Sequence, residues 1–432
     1  MLYIGQSSLE TDLDGVQTLR VYDALNRIVS ETVAPGTEYA ATRTSEYHLV
    51  GGSMSGTSWE QNKDANGVVT RSQFDGLARL VLATRVDTDT ADPEPYFRPT
   101  FRATYNALDQ LVTETQFDWF HDEDRIFVTQ NSYSDWGELQ STLRPDGVTE
   151  VAQRSPFGLH GPTEERWLQA AGSGTQTSNR QLIQFNRFGS ADSIETTGSG
   201  DEEGFLVQHF YDGLGQCIET RESFGSQERI TRFAFDAWRR MSTMTLPDGT
   251  QVNHHYAPHS PDQLAVEVRV KPANVLLPEH QTGVRVFDGV DRLVSRTIGG
   301  RYEQFSYIGG RIRPSTRITA AGKTIQIDYE AGLSNSAHSV TAPDDTVSYR
   351  YDRISGDVVG ADNEQGKRSY DYTVAGDLAA ERFTPEGGEE HVTEFETSLR
   401  GLALLRTDVS PSGPNDSLTT TYHYDSAGRL EN

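Results

Sequence analysis

The sequence predicts an all-β fold in which β-hairpins repeat along a chain of 432 residues. The first observation behind this is a recurring opening: an aromatic residue, Asp or Asn, two variable residues, often Gly, then Arg or Gln and an aliphatic. It stands as YDALNRIV at Tyr22, FDGLARLV at Phe74, YNALDQLV at Tyr105, YSDWGELQ at Tyr133, FNRFGSAD at Phe185, YDGLGQCI at Tyr211, FDGVDRLV at Phe287, YDRISGDV at Tyr351, YTVAGDLA at Tyr372 and YDSAGRLE at Tyr424. The second is the turn Leu246-Pro247-Asp248-Gly249 between alternating runs. Pro presets the first central position, Asp bonds local backbone and Gly accepts positive φ, so the runs on either side read as strands. The third is period. With the copy at Phe235 and degenerate ones at Tyr47, Arg154, Tyr256, Tyr307, Tyr329 and Phe395, 17 starts recur at a mean of about 25 residues, which marks a repeat architecture.

In chain order, Asp14-Gly15 is a hairpin signal and VQTLRVY after it an alternating strand, so the chain is expected to begin in the second half of a repeat. The units that follow, up to about residue 286, are longer and more degenerate. ADPEPYFRPT from Ala91 reads as a proline-rich loop, and AAGSGTQTSN from Ala170 and TTGSGDEEG from Thr196 as connections between hairpins, because the period resumes after each. PANVLLPEHQTG from Pro272 reads as a short helix or an apolar plug. From Phe287 the spacing tightens to 20 to 23 residues, the most regular part of the array. TTTYHYDSAGRLEN closes just after a repeat opens, and neither end resembles a capping repeat, so a segment of a longer array or a shortened product is expected. The domain reading is therefore a single array over 1–432, with no separate catalytic or C-terminal effector domain.

Composition fits a thin structure. Apolar residues make up 35% of the chain and mean hydropathy is −0.59, which suits a single-layer or hollow sheet better than a thick two-layer core. The formal net charge of −25 repels phosphate backbones, which argues against nucleic-acid binding. The start MLYIGQSSLETDLDG lacks the basic and apolar regions of a signal peptide, and no apolar run reaches the length of a spanning helix. Secretion or surface display would then use a route not written in this chain, with the protein cytoplasmic before export.

Candidate chemistry is sparse. The acidic groups Asp122-Glu123-Asp124, Glu164-Glu165, Asp201-Glu202-Glu203 and Glu389-Glu390 could supply paired carboxylates, but three of the four lie beside loop-like sequence and read as solvated. Asp23, Asp75, Asp212, Asp236 and Asp288 repeat with the period and read as turn formers, since an active site is needed once. His254, His255 and His259 have zinc-like spacing only on a helix, which the alternating QVNHHY and Pro258 deny. Cys217 reads as a small apolar strand residue without a nearby histidine in sequence. No catalytic, cofactor or metal residue is therefore assigned, and no enzyme activity is expected. Trp59, Trp119, Trp136, Trp167 and Trp238 raise a carbohydrate-binding reading, although Trp136 and Trp238 occupy a turn position filled elsewhere by Leu and are expected to pack between repeats.

YDALNR, FDGLAR, YDGLGQ, FDGVDRLVSRTIGG, YDSAGRL and TLPDGTQVNHHYAPHS together resemble the RHS or YD repeats of bacterial polymorphic toxins, insecticidal toxin-complex B and C components and teneurin shells. The resemblance runs over nearly the whole chain from Tyr22. It implies a spiralling antiparallel β-sheet that closes around a hollow, with the aromatic-Asp openings stacking at successive turns. It also implies a structural role: a shell segment that encapsulates a toxin polypeptide, with toxin cargo, flanking RHS segments or a partner shell protein as its partners. The family's self-cleaving aspartate segment finds no counterpart here, so neither cleavage nor toxicity is assigned. The competing reading is a cell-envelope adhesion or carbohydrate-binding array.

Overall fold

The computed structural model describes residues 6–50, 57–88, 96–120, 123–158, 160–171, 176–198, 204–258, 264–409 and 416–431. Among them no α-helix occurs, and 34 strands form one antiparallel sheet. The unit around Phe235 shows how the sequence builds it. Gln227–Phe235 pairs with Met241–Thr245, which pairs with Gln251–Tyr256. At the Pro-Asp-Gly turn, Gly249 N–H donates to the Leu246 carbonyl at 2.9 Å, and Gly249 adopts the positive φ of 87° that the motif required.

The aromatic-Asp openings from Tyr22 to Tyr372 carry a register shift at the aromatic residue. Tyr22 faces Ile28, Phe74 faces Leu80, Tyr211 faces Cys217 and Tyr351 faces Val358, in each case after a regular ladder. The cause is a tight turn ending in a residue of positive φ, which adds one unpaired residue to the strand. Gly fills that place at Gly215, Gly356 and Gly428, but Asn26, Ala78 and Arg239 also sit there. Ala78, at φ 62°, gains nothing from its methyl group and bears the steric cost of the left-handed region. Ala78→Gly is therefore expected to raise stability by up to about 1 kcal/mol, read as a higher denaturant midpoint; a lower midpoint would contradict the turn geometry.

The sheet is a single layer. Its accessible surface is 27019 Å², against about 16,000 Å² for a compact protein of this mass. Strands such as Gln17–Tyr22 and Asp345–Tyr351 alternate exposed and half-buried residues, and the half-buried set packs sideways against neighbouring strands. The lean composition is thus accounted for.

Two sequence readings are corrected. Pro272 to Pro278 is an open turn, neither helix nor plug: Asn274 caps it by accepting from Leu276 N–H at 3.0 Å, while Val275 and Leu276 stand 89% and 87% exposed. Trp136 and Trp238 do not pack between repeats. They stand at turn tips, where only the backbone is held, and are 77% and 70% exposed. Of the stretches read as loops, 91–95, 172–175 and 199–203 lie outside the described residues, but Phe97 to Thr100 open the strand Phe97–Tyr105 and Gln176 to Asn179 open the strand Gln176–Phe185, so those parts of the loop reading are corrected as well.

The chain divides into two compact units. One comprises Met1–Val128, Tyr307–Arg317 and Lys323–Asn432; the other comprises Thr129–Ser306 and Ile318–Gly322. Within the first, hairpins from the end of the chain lie against hairpins from its beginning. Within the second, consecutive hairpins follow one another along the sheet from Gln130 to Ser306.

Candidate functional site

The repeated Asp turn is a small, self-contained assembly. In the copy at Tyr22, Asp23 Oδ1 accepts from Leu25 N–H at 2.8 Å and Arg27 N–H at 2.9 Å, and Oδ2 accepts from Arg27 Nε at 2.7 Å. The same set recurs at Asp75, Asp236, Asp288 and Asp425. Where Asn replaces Asp, as at Asn106, Oδ1 keeps both backbone bonds and Nδ2 donates to Gln110 in place of the arginine. The two backbone bonds do not need the arginine: Asp212 makes both with Gln216 in the Arg place, and Asn186 makes both with Ser190 there. The aspartates are turn formers, as the sequence suggested.

Sequence reasoning missed what couples one repeat to the next. Arg27 lies 4.2 Å over the ring of Tyr47, and the Tyr47 hydroxyl donates to the carbonyl of Ile28, the residue after Arg27. Arg79 and Tyr105 repeat this at 4.5 Å, with the hydroxyl on Leu80. Arg240 and Tyr256 do so at 4.5 Å, with the hydroxyl on Met241. The hydroxyls of Tyr211, Tyr351, Tyr372 and Tyr424 reach the equivalent carbonyls of Ala191, Ala337, Val358 and Ala403. The period of the motif is therefore the reach of a tyrosine across one hairpin. The signal was present as the recurring Arg and Tyr within the repeat itself.

These contacts give the fold two pH limits. The Asp23 carboxyl is held below its ordinary 3.8 by the backbone and then the guanidinium of Arg27, and Asp75 by the Arg79 guanidinium. At Asp236 and Asp288 desolvation opposes this, but the bonds from Arg240 and Arg292 outweigh it. A lowered folded pKa contributes stability that is present above 3.8 and lost as pH falls through the folded value. Desolvation raises Tyr211, Tyr256 and Tyr351 above their ordinary 10, a contribution present below 10 and lost as pH rises past it. Thermal scans are expected to show a plateau between about pH 5 and 9 and a fall below about pH 4. A melting point rising on acidification through pH 4 would contradict the turn electrostatics.

In the first unit, the turns at residues 330–336, 352–357 and 398–402 meet turns and strand ends from the start of the chain. Ser334 bonds Asp12, Arg311 lies 3.7 Å from Asp14, Arg353 pairs with Glu38 at 3.3 Å, and Gly332 presses on Thr37 and Tyr39. The tightest contact is Asp118, 1% exposed. Its Oδ2 accepts from Ser398 Oγ at 2.8 Å and its Oδ1 from Arg400 N–H at 3.2 Å, across 280 and 282 residues of sequence. The structure moves the copy placed at Phe395 by two residues: Thr397 takes the aromatic place, and Ser398 and Leu402 take the Asp and Arg places. The missing carboxylate is thus supplied in trans: Asp118 takes the bond from the second turn residue, and Ser398 takes the one from Leu402 N–H at 3.1 Å. Beside it Phe127 and Leu404, with Leu402 and Tyr424, form an apolar cluster.

The other sequence candidates are not brought together. Glu164 and Glu165 pair with Arg166 and Arg180, Asp124 lies 3.3 Å from Arg98, and Glu389 and Glu390 are exposed. Asp122, the Glu123 side chain, Asp201-Glu202-Glu203 and His259 lie outside the described residues. His254 is half-buried and His255 exposed, as neighbours on a strand must differ, and burial, then Arg285, pushes the His254 pKa down. Among the described residues no three His, Cys, Asp or Glu side chains form a metal-sized group. Cys217 does have a histidine nearby: Sγ is 3.9 Å from His209 Nδ1 and 3.6 Å from Thr220 Oγ1, a proximity of adjacent strands that linear spacing hid. Trp119 lies under Arg98 at 4.1 Å, and Trp59 between His48 and Arg71, so arginines cover faces that a sugar would need. Trp167 lines a shallow groove of about 600 Å³. No described helix is long and apolar enough to cross a membrane.

No family model and no curated protein matches the chain. Among solved structures it is similar to the TcdB2-TccC3 complex, at 12% identity over 97% of this chain and 23% of that one, with a TM-score of 0.59. It is also similar to the TcdB2-TccC3-Cdc42 complex, at 12% identity over 97% and 26%, with a TM-score of 0.57. A third likeness is to the Photorhabdus luminescens Tc holotoxin pore with a variant TccC3, at 12% identity over 97% and 25%, with a TM-score of 0.56. The chain spans about a quarter of the length of these solved chains. The likeness shows the fold: the all-β, spiralling antiparallel sheet of the RHS type that the repeats resemble.

Proposed function

We propose that this chain is a stretch of toxin-associated RHS shell whose task is to enclose a polypeptide cargo, and that it performs no catalysis. The observation that carries the reading is Asp118 completing a turn 280 residues away, because a sheet that locks onto its own earlier hairpins is built as wall. The fold it shares with toxin-complex structures supports the same role, as does the use of the repeated aspartates in turns. Partners on this reading are a cargo polypeptide and other shell segments, and the protein is secreted or displayed at the cell surface. Co-expression with a candidate toxin polypeptide tests this. The two should co-purify in fixed proportion with the cargo resistant to protease; recovery as separate species would overturn it. Trp136 and Trp238, exposed at turn tips, favour carbohydrate binding as a second reading, which a flat response on a broad glycan array would remove.

A further inference from the structure

In the copy at Tyr372, Thr373 takes the Asp place and accepts from Asp377 N–H at 3.1 Å, so an acid stands where Arg27 or Arg240 stands in other repeats. The copy at Tyr133 makes the same exchange with Ser134 and Glu138, but there Arg154 lies 3.3 Å from the acid. The Asp377 carboxylate, half-buried, has no hydrogen bond or ion pair among the described residues. An early strand of the same unit, Leu80–Val86, carries the converse. Arg85 is half-buried, its Nε is closed to water without a hydrogen-bond partner, and no described carboxylate pairs with its guanidinium. Arg98 stands directly across the ladder from it, yet Arg98 holds Asp87 at 2.6 Å and Asp124 at 3.3 Å. A cation left beside a second cation, and an acid left without a donor, are each costly arrangements.

Both residues line one cavity of about 300 Å³ in the first unit, walled by early and late hairpins together, and they do not pair with each other across it. Trp119, Phe395, Leu399 and Leu404 supply apolar lining, with Leu399 7% and Leu404 3% exposed. Glu396, the other acid of the lining, is exposed and already engaged. We propose that this cavity binds a small zwitterion with an apolar side chain, of the chemistry of free leucine or phenylalanine. The ligand carboxylate takes the Arg85 guanidinium, whose planar fork can meet both oxygens, and the ligand ammonium takes Asp377. The apolar side chain lies against Trp119 and the leucines. A ligand with only one of the two charges leaves the other protein group unmatched. Because the walls come from early and late hairpins, bound ligand bridges them and stabilises their docking by mass action. The site is independent of whether the shell encloses cargo.

Calorimetric titration of the full chain with L-leucine and L-phenylalanine, each up to about 20 mM, tests it, a range that detects a Kd of about 1 mM. At least one should bind and raise the melting temperature with concentration. The N-acetyl forms, which lack the ammonium, and the amide forms, which lack the carboxylate, should bind at least about tenfold more weakly. Arg85→Gln and Asp377→Asn should each weaken the amino acid by a similar factor. Their melts without ligand should match or exceed wild type, because neither change removes an existing partner. Failure of both amino acids to bind overturns the proposal. Capped forms that bind as tightly as the free amino acid overturn it too, since one charge would then suffice, as does either variant binding like wild type. A variant that melts lower than wild type without ligand would show its side chain already paired, and that result also overturns it.

Discussion

Asp118→Ala is expected to cost about 2–4 kcal/mol, the largest loss for any single side chain in the first unit. The substitution leaves the Ser398 hydroxyl and the Arg400 N–H without their acceptor in a place closed to water, where Asp118 is 1% and Ser398 2% exposed. Each stranded donor contributes about 1–3 kcal/mol of the loss. Asp118→Asn keeps one oxygen, for the Arg400 N–H, and turns its Nδ2 donor to the Ser398 hydroxyl, whose oxygen can accept from it, so it should lose less than Asp118→Ala. Hydrogen exchange localises the effect: the turn at 398–402 and the strand Ala403–Val409 should open first, while the hairpins from Thr129 to Ser306 stay protected. Equal stability of Asp118→Ala and wild type would show that the contact contributes nothing.

Arg240→Ala is the second large expectation, at about 2–3 kcal/mol. Arg240 has a side chain only 10% exposed, binds Asp236 Oδ2 through Nε and Nη2, both at 2.8 Å, and lies over Tyr256. Its loss therefore loosens its own turn and the next repeat together. Tyr256→Phe keeps the ring and removes only the hydroxyl bond to Met241, for about 1 kcal/mol. The double variant Arg240→Ala, Tyr256→Ala should show a coupling of about 1 kcal/mol in a double-mutant cycle, and additivity would mean that stacking does not link the repeats. Arg240→Lys should recover little, because an ammonium lacks the planar fork that meets carboxylate and ring at once.

What could be read from residues alone follows from the range of the forces involved. Strands, turns and the role of Asp23 or Asp236 were legible because each turn closes within five residues, and its chemistry is written inside that window. The single-layer character was legible in the polar composition. The coupling of Arg27 to Tyr47 was half-legible: both residues recur in the repeat, but that one stacks on the other depends on hairpin register. Asp118 was illegible, since in the sequence FDWFHDED it is one acid among several, and its partners lie 280 residues on. Trp136 and Trp238 were misread because a position filled by Leu looks like core, whereas here the tip of the turn faces solvent. Cys217 and His209 met only once adjacent strands were in register.

The central claim is that the end of this array docks on its beginning. Glu38→Cys with Arg353→Cys, in a Cys217→Ser background, tests it directly, because those side chains form an ion pair at 3.3 Å across the contact between early and late hairpins. A short bismaleimide added to dilute protein should close the chain on itself, giving one faster-migrating species on a denaturing gel, while either single variant gives none. Failure of the double variant to cross-link within one chain, with both thiols reactive, would contradict the account.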